Sequence, residues 1–199
     1  MVHQKFRTAR MVLREPSAEQ DVWRFAESNS WLLISDQPGD VETGQRRQLV
    51  WETGPEAQVT YAEDDTSPTC YITVSGTSAD MTSSMGLWLE AELRPWRVKD
   101  LCRLVDVAKD PVRIGVAVLR LALGGPYEYD EEVFQRMSRG LTHGDGRTRD
   151  MAIWATTYSP WPQYRTLLRS IAEHDPEPDL RERAQFTLDS YDAVGVPES

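Results

Sequence analysis

The chain has 199 residues, 40% of them hydrophobic and 27% charged, so a packed core is expected rather than disorder. Its net charge of −10 argues against wrapping a phosphate backbone, where affinity comes largely from Lys and Arg displacing counterions. Its longest apolar runs are interrupted by charge, as Ile114–Leu123 is by Arg120, and none approaches the ~20 apolar residues that span a bilayer.

No apolar stretch follows the charged start, Met1–Arg7, so no secretory signal is expected and a cytoplasmic location is. Lys5–Leu13 has the pattern of a first strand, ending before Pro16. Ser17 has the position of an N-cap, with Gln20 completing a capping box, and Val22, Phe25 and Ala26 form an apolar stripe that predicts a helix over Ala18–Ser28. Trp31–Ile34 is a short candidate strand, and Asp36-Gln37-Pro38-Gly39-Asp40 is turn chemistry. Three strand signals follow at Gln48–Glu52, Gln58–Ala62 and Cys70–Val74, each rich in β-branched and aromatic residues and separated by links short enough for antiparallel hairpins. Ser78 or Asp80 then caps a helix running to about Leu93, for a β-α-β-β-β-α order.

After Pro95 the strand signals stop. Helices are predicted over Arg97–Ala108, Pro111–Leu123, Glu131–Leu141, Arg147–Tyr158, Pro162–Ala172 and Asp179–Tyr191, which make three antiparallel pairs. The fold class read from this order is α+β: a small N-terminal antiparallel sheet with helices over residues 1–94, then an all-α stack of three helix pairs over 95–199. The first 96 residues carry eight basic and fifteen acidic side chains, a balance of −7, and the rest carry fourteen and seventeen, a balance of −3.

Internal repetition is the most informative feature. Pro95-Trp96 recurs as Pro160-Trp161 and Asp110-Pro111 as Asp175-Pro176, both 65 positions on, and half of that is the length of one helix pair. Before each second helix sits an Asp followed by an Arg and then an Ala: Asp110, Arg113, Ala117; Asp145, Arg149, Ala152; Asp179, Arg181, Ala184. The Asp suits the positive helix start, the Arg can bridge adjacent pairs, and the small Ala lets helices approach closely. This Asp-x-x-Arg-x-x-Ala pattern resembles HEAT repeats, best over Gly144–Tyr158 and Trp161–Leu188, and leaves the first ninety-odd residues outside it.

The resemblance implies a binding scaffold whose second helices line an extended surface. Arg120, Arg149, Trp154, Thr157, Arg183 and Gln185 are the candidates there, although Arg149 also suits a structural pair between repeats and Trp154 a core position. The acidic run Glu63, Asp64, Asp65 joins two strands, either as a solvated turn or as carboxylates offered to a basic protein.

Signals for chemistry are few. Cys70 and Cys102 fit no metal spacing and are expected as buried thiols. His143 and His174 lie in linkers beside Asp145 and Asp175; a metal pair is one reading, favourable placement at helix C-termini the plainer one. No nucleophile elbow, P-loop or dinucleotide fingerprint is present, so no cofactor is expected. The leading expectation is therefore non-catalytic binding of another protein. The alternatives are an immunity- or antitoxin-like inhibitor of a basic partner, and a HEAT-like enzyme acting on DNA or using a metal.

Overall fold

A computed structural model describes residues 6–14, 18–40 and 42–198, and divides the chain into two compact units, 1–97 and 98–199. The class is α+β: among the described residues, an antiparallel sheet and two helices in the first unit and helices alone in the second. Among the described residues no helix is long and apolar enough to cross a membrane. The expected cap at Ser17, together with His3 and Lys5, lies outside the described residues.

The first unit is built on β1 (Phe6–Arg7), β2 (Met11–Val12), β3 (Leu32–Gln37), β4 (Gln48–Gly54), β5 (Ala57–Asp64) and β6 (Thr69–Gly76). Their order is β1-β6-β5-β4-β3, with β2 also on β6, and every pairing is antiparallel. Period-two alternation sends Leu49, Trp51, Val59, Tyr61, Cys70, Ile72 and Val74 to one face. Helix α1 (Ala18–Ser28) covers that face with Val22 and Ala26, and α2 (Ala79–Leu93) with Leu89. Ser78 caps α2, its hydroxyl accepting the Met81 N–H. At Gly86 any Cβ would come within 2.9 Å of the Thr8 methyl, so glycine lets α2 lie close to the edge of the sheet.

Three expectations here are corrected. Lys5–Leu13 is not one strand: Arg7 faces Ser75 but Met11 faces Ile72, a slip of one residue. The Thr8 hydroxyl, rather than a main-chain carbonyl, accepts the Val74 N–H at 3.0 Å, and the edge bulges between β1 and β2. The turn expected from Asp36 begins later, because Asp36 and Gln37 stay paired with Leu49 and Gln48 and Asp36 is bound by Arg47. Trp31–Ile34 becomes a strand shifted to Leu32–Gln37, which adds a strand to the order read from the sequence.

Pro95 and Trp96 close the first unit: the Trp96 N–H bonds the Val12 carbonyl at 2.8 Å, and the Arg14 guanidinium lies 3.9 Å from the Trp96 ring centre.

The second unit comprises α3 (Val98–Val107), α4 (Pro111–Gly124), α5 (Glu131–Leu141), α6 (Gly146–Ala155), α7 (Tyr164–His174) and α8 (Pro178–Ala193). Consecutive helices pack as pairs, α3 with α4, α5 with α6 and α7 with α8. Second helices touch second helices (α4–α6–α8) and first helices touch first helices (α3–α5–α7), which gives two layers. Asp110, Asp130 and Asp145 cap α4, α5 and α6 through their carboxylates.

The layers approach closely through small residues. A Cβ at Gly140 would lie 3.1 Å from the Ala152 Cβ and 3.2 Å from a Val118 methyl. Gly140→Val should therefore cost about 1–3 kcal/mol by overpacking, measurable as a lower midpoint in urea unfolding.

The 65-residue offset holds less well in three dimensions. Asp175 ends α7 instead of starting α8, whose N-cap is Glu177 with Pro178 in its first turn. Asp179 lies inside the first turn of α8 and is not its cap. The Asp175 carboxylate is paired with Arg149 and also accepts the Glu177 N–H at 3.0 Å.

Candidate protein-binding face

In the second unit α6 is flanked by α4 and α8 and backed by α5, so only one stripe of it is left outward. Thr148, Arg149, Ala152, Ile153 and Ala155 are buried, and Arg147, Asp150, Met151 and Trp154 follow at helical spacing on the other side. Trp154 is 40% exposed. On α8 the corresponding stripe carries Arg183 and Phe186, the latter 70% exposed, opposite buried Leu180, Ala184 and Leu188. On α4, which is buried on most sides, the outward positions are Val112, Arg113, Val116 and Arg120.

Arg183 reaches Asp150 on the neighbouring helix at 3.0 Å, with both side chains partly exposed. Arg147 is held by Asp145, whose pKa is lowered to about 2, first by that hydrogen bond and then by the helix-start N–H of Arg147, against desolvation. The face is thus mixed in charge, with two exposed aromatic side chains on adjacent helices. Thr157 and Gln185 are exposed and spend their donors locally, on the Trp154 carbonyl and on Asp189.

Three residues singled out in the sequence, Arg120, Trp154 and Arg183, fall on this face. Arg149 does not. It is buried, its guanidinium gives paired hydrogen bonds of 2.6 and 2.9 Å to Asp175 and a further bond to Glu177, and it also bonds the carbonyls of His143 and Gly144. It is a tie between the second and third helix pairs. Trp154 is outward, not core. Phe186 was missed, although its position three residues after Arg183 on an amphipathic helix is a signal for it.

Glu63, Asp64 and Asp65 lie in the first unit. With Glu19, Tyr61 and Cys70 they line a cavity of about 600 Å³ beside the start of α1. Asp64 is not offered to solvent: it is 1% exposed, accepts the Ser67 N–H at 2.8 Å and lies 3.6 Å from Arg46. Glu63 accepts the Tyr61 hydroxyl at 2.9 Å, and Asp65 alone of the three is exposed. Burial above all, then the neighbouring Cys70 and Glu63, pushes the Tyr61 phenol up.

Both cysteines are buried free thiols, and burial raises that of Cys102. The His143 ring accepts the Asp145 N–H, and His174 is exposed at the end of α7. Among the described residues no three His, Cys, Asp or Glu side chains are grouped to hold a metal ion.

The chain matches no protein-family model, no curated protein and no solved structure.

Proposed function

We propose that the chain is a non-catalytic protein-binding scaffold of HEAT-like build, and that the α4–α6–α8 face receives the partner. The observation that carries this reading is the pair Trp154 and Phe186, large aromatic side chains left exposed on adjacent helices beside Arg113, Arg120 and Arg183. Aromatic residues and arginine are the side chains that most often dominate interface energetics, because they bury much area for few rotatable bonds. The two-layer packing supports the HEAT-like reading, since stacked pairs leave a continuous layer of second helices open. Two of the cations of the face sit against carboxylates, Arg147 with Asp145 and Arg183 with Asp150, which suits a protein partner better than a phosphate backbone.

Tagged protein should capture a partner from cells of its source, and the Trp154→Ala/Phe186→Ala variant should bind that partner at least ~30-fold more weakly, the loss of about one hot spot. Its melting temperature should stay close to that of the parent, since both side chains are exposed. A partner retained in full by this folded variant sinks the assignment of the face, and retention with loss in Asp65→Asn would move it to the acidic cavity.

A further inference from the structure

We propose that helix α2, with the aromatic side chains beside it, is a second docking surface, and that its occupant is a basic amphipathic helix of a partner protein. It is independent of the α4–α6–α8 face. Helix α2 turns Thr82, Gly86 and Leu89 to the sheet. That leaves a second apolar side: Met81, Leu87 and Trp88 are 40%, 67% and 36% exposed. Trp88 packs on Phe25 and Trp31 at ring distances of 5.0 and 6.0 Å, so the apolar surface continues across to α1. A helix with apolar residues on opposite sides needs a cover on each, and the sheet supplies only one.

The chemistry of the cover follows from the rim. Exposed Asp80, Glu90 and Glu92 flank the stripe on α2, Glu27 adds a carboxylate on α1, and α2 contains no Lys or Arg. An apolar stripe edged with carboxylates complements an apolar stripe edged with Lys or Arg. From Met81 to Trp88 the ridge runs two helical turns, about 10 Å, which suits ridge-into-groove packing by another helix. A second copy of the chain is a poor fit, because it would set acidic rim against acidic rim in a chain of net charge −10.

The test titrates full-length protein into a fluorescent Leu/Lys helical peptide of about five turns with all its leucines on one face. The controls are a Leu/Glu peptide with the same stripe and a scrambled Leu/Lys peptide without one. The Leu/Lys helix should bind at least about tenfold more tightly than either control. Met81→Ser/Leu87→Ser, shown to be folded by circular dichroism, should weaken it about tenfold or more with its charges intact. Glu90→Gln/Glu92→Gln should weaken it and flatten its salt dependence, while Trp154→Ala/Phe186→Ala should leave it unchanged. Equal binding of the scrambled peptide, indifference to Met81→Ser/Leu87→Ser, or loss in Trp154→Ala/Phe186→Ala overturns the proposal. So does dimerisation of the protein that disappears in Leu87→Ser, or tighter binding to anionic lipid vesicles than to the peptide.

Discussion

Arg149→Ala should lower the stability of the helical unit by about 3–5 kcal/mol, the cost of leaving a buried charge without its partner. The side chains of Arg149 and Asp175 are 9% and 3% exposed, and the guanidinium satisfies both carboxylate oxygens as well as two main-chain carbonyls in the linker before α6. Alanine therefore leaves the Asp175 carboxylate without its guanidinium, keeping only the Glu177 N–H, and takes the donor from two main-chain acceptors at once. Arg149→Met/Asp175→Leu removes the charges together and should recover most of the loss, because a buried pair contributes little net energy over apolar side chains of similar volume. Urea midpoints at constant slope measure both.

The acid dependence has a definite sign. The hydrogen bonds from Arg149 hold the Asp175 carboxyl below the usual carboxylate range, against the opposing effect of its burial. A group depressed in the folded state contributes stability that is fully present above its unfolded pKa, about 3.9, and is lost as pH falls through the folded value. Arg149→Ala removes the strongest of these influences and leaves the Glu177 N–H and the Arg181 charge beside the carboxyl, so less of the depression remains. The gap between parent and variant should narrow as pH falls below about 4. A constant gap from pH 7 to pH 3 would mean that Arg149 acts through packing alone.

Much of the fold was legible because local chemistry and tertiary packing agree. Asp110 with Pro111 and Asp130 with Glu131 specify helix starts that no neighbour disturbs, and α4 and α5 begin where those residues say. Where a distant group competes, local signals misplace the element. The 65-residue offset matches Asp175-Pro176 to the helix start at Asp110-Pro111, but the Asp175 carboxylate is paired with Arg149, 26 positions away, and α8 opens at Glu177-Pro178. Likewise Asp36 belongs to turn chemistry until Arg47 and the register against Leu49 hold it in β3. The candidate face was half legible for a related reason. Arg120, Arg149, Trp154, Arg183 and Gln185 do lie on second helices and Thr157 falls just past the end of α6, but the side of the helix on which Arg149 and Trp154 lie depends on which neighbours flank α6, and spacing along one chain does not contain that.

Trp51→Ala should cost the first unit about 3–5 kcal/mol, the range for emptying a buried aromatic site. Trp51 is 2% exposed, lies on the core face of β4 between Leu33 on β3 and Val59 on β5, and meets the Trp23 ring of α1 edge-on at 5.9 Å. It therefore joins three strands and a helix, and alanine would leave a cavity that the sheet ladders hold open. Trp51→Phe keeps an aromatic ring against Trp23 and should cost markedly less. The site of the loss is as informative as its size. The apolar cluster that contains Trp51 draws only on residues 11–93, so the helical unit should not sense the change through it. Amide exchange should quicken in β4, β5 and β6 and stay slow in α4, α6 and α8. Equal acceleration in both sets would show that the two units unfold as one, and a substitution at either proposed docking surface would then have to be judged against the stability of the whole chain.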